Sequence, residues 1–134
     1  MKTRYFFNAC QLALIHVYGF YSRIVTAIKF KCYDVDYRSF TTTGVPFVHV
    51  SLNAQIVIGK RLMMGNSLLT GNGSSKCRFD VRGNAVLTIG DNVGMNQVKI
   101  RCSERITIGN DVKIGVGTCI FDTDFHSLDA SIRC

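Results

Sequence analysis

The chain has 134 residues, room for one small domain, and at 47% hydrophobic and 19% charged it is too apolar to be a disordered segment. A net charge of +7 is spread along the chain rather than gathered in a basic cluster with interleaved aromatics, which argues against nucleic acid and leaves anionic small molecules or surfaces as partners. Twelve glycines, a single glutamate (Glu104) and many Val, Ile and Thr favour strands and tight turns over a helical bundle.

Met1 to Arg4 is basic and is followed by apolar residues, but Asn8, Gln11 and His16 interrupt them and no small-residue cleavage site follows. A signal peptide is therefore not expected, and neither is a membrane-spanning helix, because no uninterrupted apolar run is long enough. The expected compartment is a reducing cytoplasm, and the six cysteines, at 10, 32, 77, 102, 119 and 134, lack C-x-x-C spacing and are expected to be free thiols.

Residues 9–31 read as a helix. Leu14, Val17, Tyr21, Ile24 and Ile28 recur on one face, and Lys29 and Lys31 sit where cations suit a helix C-terminus. The β-branched residues in the segment pull toward strand. The apolar face is expected to cap the rest of the fold. The alternative is an interfacial membrane helix with Arg23, Lys29 and Lys31 near headgroups, and so a peripheral membrane association. Tyr33 to Pro46 reads as irregular, which gives an N-terminal cap segment of residues 1–48 and a second segment of residues 49–134.

The second segment repeats. Ile58-Gly59, Met64-Gly65 and Thr70-Gly71 follow at six-residue steps, as do Ile89-Gly90 and Met95-Asn96, and then Ile108-Gly109, Ile114-Gly115 and Ile120-Phe121. Four residues after these anchors stand Leu62, Leu68, Val93, Val112 and Thr118. A six-residue unit is a short strand and a corner: the aliphatic residue points inward, and glycine lets the corner close. Three units make one triangular coil, and stacked coils pair their strands in parallel around an aliphatic column. Three coils are expected, the last incomplete, with a loop at about Gly71 to Arg82. Cys102 and Cys119 are expected to stack as small core residues.

The run from Leu87 to Asp129 carries L-T-I-G-D-N-V-G-M-N-Q-V, I-T-I-G-N-D-V-K-I-G-V-G-T-C-I and F-D-T-D-F-H-S-L-D. It resembles the hexapeptide-repeat acyltransferases, and among them the maltose, galactoside and capsular or exopolysaccharide sugar O-acetyltransferases. The resemblance covers roughly residues 50–134. It implies an all-β fold, a left-handed parallel β-helix behind an N-terminal helical cap. It implies acetyl transfer from acetyl-CoA to a saccharide hydroxyl in surface-polysaccharide synthesis, and a homotrimer with active sites between subunits. His126 matches the family's general base: an imidazole can take the hydroxyl proton near neutral pH. Asn96 matches an acceptor-orienting amide. Asp122, Asp124 and Asp129 are candidates to hold the imidazole or bind the acceptor, and Phe121 and Phe125 to wall it. His16 and His49 have no motif around them and read as structural.

No metal is expected, because a γ-type carbonic anhydrase needs three zinc-binding His, and only His126 lies in the clear repeats. A sugar nucleotidyltransferase would need a nucleotide-binding domain that residues 1–50 are too short to form. The family continues past this His into further coils that carry most coenzyme A contacts, whereas the match here ends at Arg133-Cys134. No coenzyme residue is therefore named, and the alternative function is an inactive β-helix serving as scaffold or subunit partner.

Overall fold

The computed structural model describes residues 2–66 and 76–124. Among them the chain forms one helix, α1 (Lys2–Cys32), and twelve short strands. They are β1 (Asp36–Tyr37), β2 (Phe40–Thr43), β3 (Phe47–Val50), β4 (Gln55–Ile58), β5 (Leu62–Gly65) and β6 (Arg78–Val81). After these come β7 (Val86–Ile89), β8 (Gly94–Asn96), β9 (Lys99–Cys102), β10 (Arg105–Ile108), β11 (Lys113–Ile114) and β12 (Cys119–Phe121).

The strands form three parallel four-stranded sheets. Their orders are β1-β4-β7-β10, β2-β5-β8-β11 and β3-β6-β9-β12, so each strand pairs with the one three places along the chain. Among the described residues, the chain visits the three sheets in rotation and makes four circuits. The protein is mostly β but not all-β, because α1 alone takes 31 residues.

The repeat anchors stack in register. Ile58 pairs with Ile89 and Ile89 with Ile108, while Ile56, Leu87 and Ile106 form the row beside them. These six side chains are buried, and with Leu62, Met64, Phe79, Val81, Met95 and Ile100 they belong to one core shared by the three sheets. Full burial of each such side chain is worth about 1.5–3 kcal/mol. A one-residue slip would turn a whole row outward, which fixes the register.

The corner between the first and second sheets explains the Ile-Gly pairs differently from the sequence. Asp91 reaches back one circuit to accept a hydrogen bond from the Lys60 N–H at 2.7 Å, and Asn110 does the same for the Asp91 N–H at 2.7 Å. A Cβ on Gly59 or Gly90 would collide with those carboxylate and amide oxygens. The left-handed residue of this corner is not glycine but Arg61, Asn92 or Asp111, at φ 59°, 57° and 59°. Asn and Asp tolerate that conformation better than other L-residues.

Strand pairing begins at Asp36, within the stretch read as irregular, and four circuits stand where three coils were expected. The first circuit lacks Ile-Gly pairs because it meets the helix. Phe30 is fully buried, with ring centroids 5.4 Å from Tyr37 and 5.1 Å from Phe40. The expected loop runs too far: Arg78–Val81 is a strand with Phe79 and Val81 fully buried. The rest of that expected loop, up to residue 75, lies outside the described residues. Asn66 joins the end of β5 to the start of β6. Its buried amide accepts from the Cys77 N–H at 2.5 Å and donates to Thr42 Oγ1 at 2.9 Å.

The helix docks on the opposite side from the one its hydrophobic pattern indicates. Ser22, Thr26 and Phe30 are buried, at i, i+4 and i+8. The two hydroxyls donate to Tyr18 O and Ser22 O at 2.7 Å, which satisfies them inside the contact. The expected cap face is exposed: Leu14 and Val17 at 68%, Tyr21 and Ile28 at 57%, Ile24 at 46%. Small side chains let the helix approach closely, and one aromatic, Phe30, fills the space beneath. Asp34, at φ 51°, ends the helix in a left-handed cap.

Candidate functional site

His126 and Phe125, with Asp129, lie outside the described residues. Asp122 follows β12, and its carboxylate is occupied by backbone. Oδ1 accepts from the Ser103 N–H at 2.7 Å, and Oδ2 accepts from Glu104 and Arg105 at 2.7 and 2.9 Å. Burial alone would raise its pKa, but those three donors, with the Cys102 thiol, outweigh burial and hold the carboxyl below the usual range. Asp122 thus clamps the corner between β9 and β10 from one circuit further along. Asp124 is exposed two residues on.

Asn96 ends β8 and is exposed, and its amide lies against Gly65 of the neighbouring strand, where a Cβ would collide with it. It borders a groove on the outward face of the second sheet, with Met63, Gly94 and Lys113. Asn96 stands between the second and third sheets, and Asp122 between the third and the first. Within one chain these two candidates occupy different edges of the body.

The densest group of charged side chains was not legible in the sequence. Alternate residues of β3, β6, β9 and β12 point outward from the third sheet and stack in two rows. One row is Phe47, Arg78, Lys99 and Cys119; the other is His49, Asp80, Arg101 and Phe121. Phe47, Arg78, Lys99, Asp80, Arg101 and Phe121 of these rows, with Lys76, line a groove of about 600 Å³. The Arg78 guanidinium lies over the Phe47 ring, 4.3 Å from its centroid.

Asp80 is the centre of the second row. Arg82 contacts it at two points, 3.0 and 3.1 Å, the His49 Nδ1 lies 3.2 Å away, and the Arg101 Nε 3.8 Å. Burial pushes the Asp80 carboxyl up, but the hydrogen bonds and charge of Arg82, with Arg101 and His49, more than offset this and hold it below the usual range. His49, read as structural, is one half of a carboxylate–imidazole pair with Asp80. Among the described residues, Lys76, Arg78 and Lys99 have no acidic partner, so the groove presents excess positive charge to an anion. No sequence motif could have found this group, because its members come from strands that are brought together only by the register.

Cys102 is buried, and its thiol is pushed up to about 11 by burial and by Asp122 beside it. Cys119 does not stack on it. It faces outward and pairs in register with Lys99, because it occupies the opposite alternation of its strand. Among the described residues, no group of three His, Cys, Asp or Glu is placed to hold a metal ion. No family model matches the chain, and neither a curated protein nor a solved structure matches it.

Proposed function

We propose that the chain is a left-handed parallel β-helix of the hexapeptide-repeat kind, and that it transfers an acetyl group from acetyl-CoA to a sugar hydroxyl. The observation that carries this reading is the in-register stacking of Ile58, Ile89 and Ile108 in a three-sheet fold, the arrangement that the six-residue repeat requires. The left-handed sense rests on the sequence resemblance.

In this reading, His126 takes the proton of the acceptor hydroxyl as its oxygen attacks the thioester carbonyl. The new carbon–oxygen bond forms, the carbon–sulfur bond breaks, and the coenzyme thiolate leaves with the proton. Asp122 roots the D-T-D-F-H segment by tying its start to three backbone amides. Lys76, Arg78 and Lys99 are the described cations best suited to the phosphate groups of the donor. The separate edges held by Asn96 and Asp122 suit a site completed by a neighbouring copy, as in a homotrimer.

The test is acetyl transfer from acetyl-CoA to a panel of sugars, read as the mass gain of one acetyl group. Wild-type protein is expected to acetylate at least one acceptor, with a loss of about 100-fold or more in a folded His126→Ala variant. Lys99→Glu is expected to raise KM for acetyl-CoA with kcat little changed. Folded wild-type protein that transfers nothing to any sugar would overturn the enzyme reading and favour a scaffold.

A further inference from the structure

We infer that α1 is a membrane-surface anchor whose exposed apolar stripe inserts into the headgroup region of an anionic lipid bilayer. The inference does not depend on acetyl transfer.

The helix is about 46 Å long at 1.5 Å per residue, far longer than its contact with the sheets requires. Among the described residues, the helix is buried only from Tyr18 onward, at Ser22, Thr26 and Phe30. Residues 7–17 are exposed at every position. At 100° per residue, the stripe from Leu14 to Ile28 lies on the opposite side of the helix from that docking face. Leu14, Val17, Tyr21 and Ile28 therefore look away from the docking contact, while Ile24 borders a groove with Tyr37 and Phe40. An apolar surface of this extent is not left to water in a stable monomer.

Charge selects the occupant. The helix carries Lys2, Arg4, Arg23, Lys29 and Lys31 and no acidic residue. Such a helix suits a surface of lipid phosphates, and each cation near an anionic leaflet adds to binding. The stripe also has the three-and-four spacing of a seam between helices, but two copies would bring like charges together with no acidic side chain to pair them. A lipid surface also takes up Phe20, which is exposed and borders the stripe. No helix among the described residues is long and apolar enough to cross the membrane, so the anchor lies in one leaflet.

The experiment is co-sedimentation of the full chain with vesicles of equal parts phosphatidylglycerol and phosphatidylcholine, against phosphatidylcholine alone. The chain has no tryptophan, so Phe20→Trp provides a single reporter whose emission should shift to the blue on the anionic vesicles. Binding is expected to be about tenfold or more tighter to the anionic vesicles and to weaken with salt. Leu14→Glu with Val17→Glu should abolish it, with an unchanged circular dichroism spectrum showing that the body is intact. Lys2→Glu with Lys31→Glu, the two cations that flank the stripe, should reduce it to the level of the neutral vesicles. Absence of binding to either vesicle, or equal binding to both, overturns the proposal. So does a protein-only oligomer that the Leu14 and Val17 variants dissolve while vesicles leave it unbound, which would make the stripe a seam between copies.

Discussion

Arg82 holds Asp80 at two points, Nε to Oδ1 at 3.0 Å and Nη2 to Oδ2 at 3.1 Å, although the two residues are only two apart in the chain. Both project outward from the third sheet because side chains alternate along a strand. The carboxylate is nearly buried and the guanidinium half exposed. Asp80 is thus the negative group that gathers Arg82, His49 and Arg101 on this face.

The folded-state pKa of Asp80 lies below its unfolded value, so its contribution to stability is present above the unfolded value. That contribution fades as pH falls through the folded one. Asp80→Asn is expected to cost about 1–3 kcal/mol at neutral pH and to flatten the acid side of the stability profile. Urea unfolding at neutral pH and at about pH 3 measures both effects. An unchanged acid profile would show that the pair carries no linkage.

Asp122→Ala removes the acceptor of three backbone donors at the β9–β10 corner, and about 1.5–3 kcal/mol of stability is expected to go with it. The amides of Ser103, Glu104 and Arg105 should exchange faster with solvent than in the wild type, while those of β4 keep their protection. The Asp122 carboxyl is also held low, so this stabilisation too is lost in acid and kept above the unfolded pKa.

Gly90→Ala is expected to be destabilising by about 1–3 kcal/mol, because the new Cβ meets the Asn110 side chain and the Gly109 backbone. Asn110→Gly removes the side-chain part of that clash. A double-mutant cycle should therefore show coupling between the two positions, with the pair less damaged than the sum of the single changes. Strict additivity would mean that glycine is required here for its backbone alone.

Alkylation should divide the thiols by position. Cys10, Cys32 and Cys119 are exposed, whereas Cys77 and Cys102 are buried with their pKa values raised by burial. At neutral pH the first three are expected to label with iodoacetamide well before the other two, since the thiolate is the reactive form. Peptide mass mapping against time gives the order. Early labelling of Cys102 would be inconsistent with its packing beside Asp122.

The repeat was legible because identical contacts recur: Ile58, Ile89 and Ile108 meet one another, so each circuit selects the same residue at the same step. The first circuit was not, since Tyr37 and Phe40 pack on Phe30 of the helix as well as pairing with Ile58 and Leu62 of the next circuit. The helix itself was legible as a helix, but its docking side was not. A hydrophobic stripe reports where apolar surface lies, not which partner covers it, and here two small hydroxyl side chains and one aromatic make the contact. The His49–Asp80 pair was hidden for a third reason. The two residues stand 31 apart in the chain and meet only because strands in adjacent circuits align. Asp122 was read from a motif as a ligand-binding candidate, whereas its oxygens face main-chain donors that no sequence pattern reveals.

Asn66 and Cys77 have a bearing on how this chain tolerates change. A single side chain ties the end of β5 to the start of β6 and to Thr42 of the circuit before, so one amide sets the phase of the rows on either side. Within a strand, one inserted residue would rotate every following side chain out of the core. At this clamp, the loss of one amide would release two circuits at once.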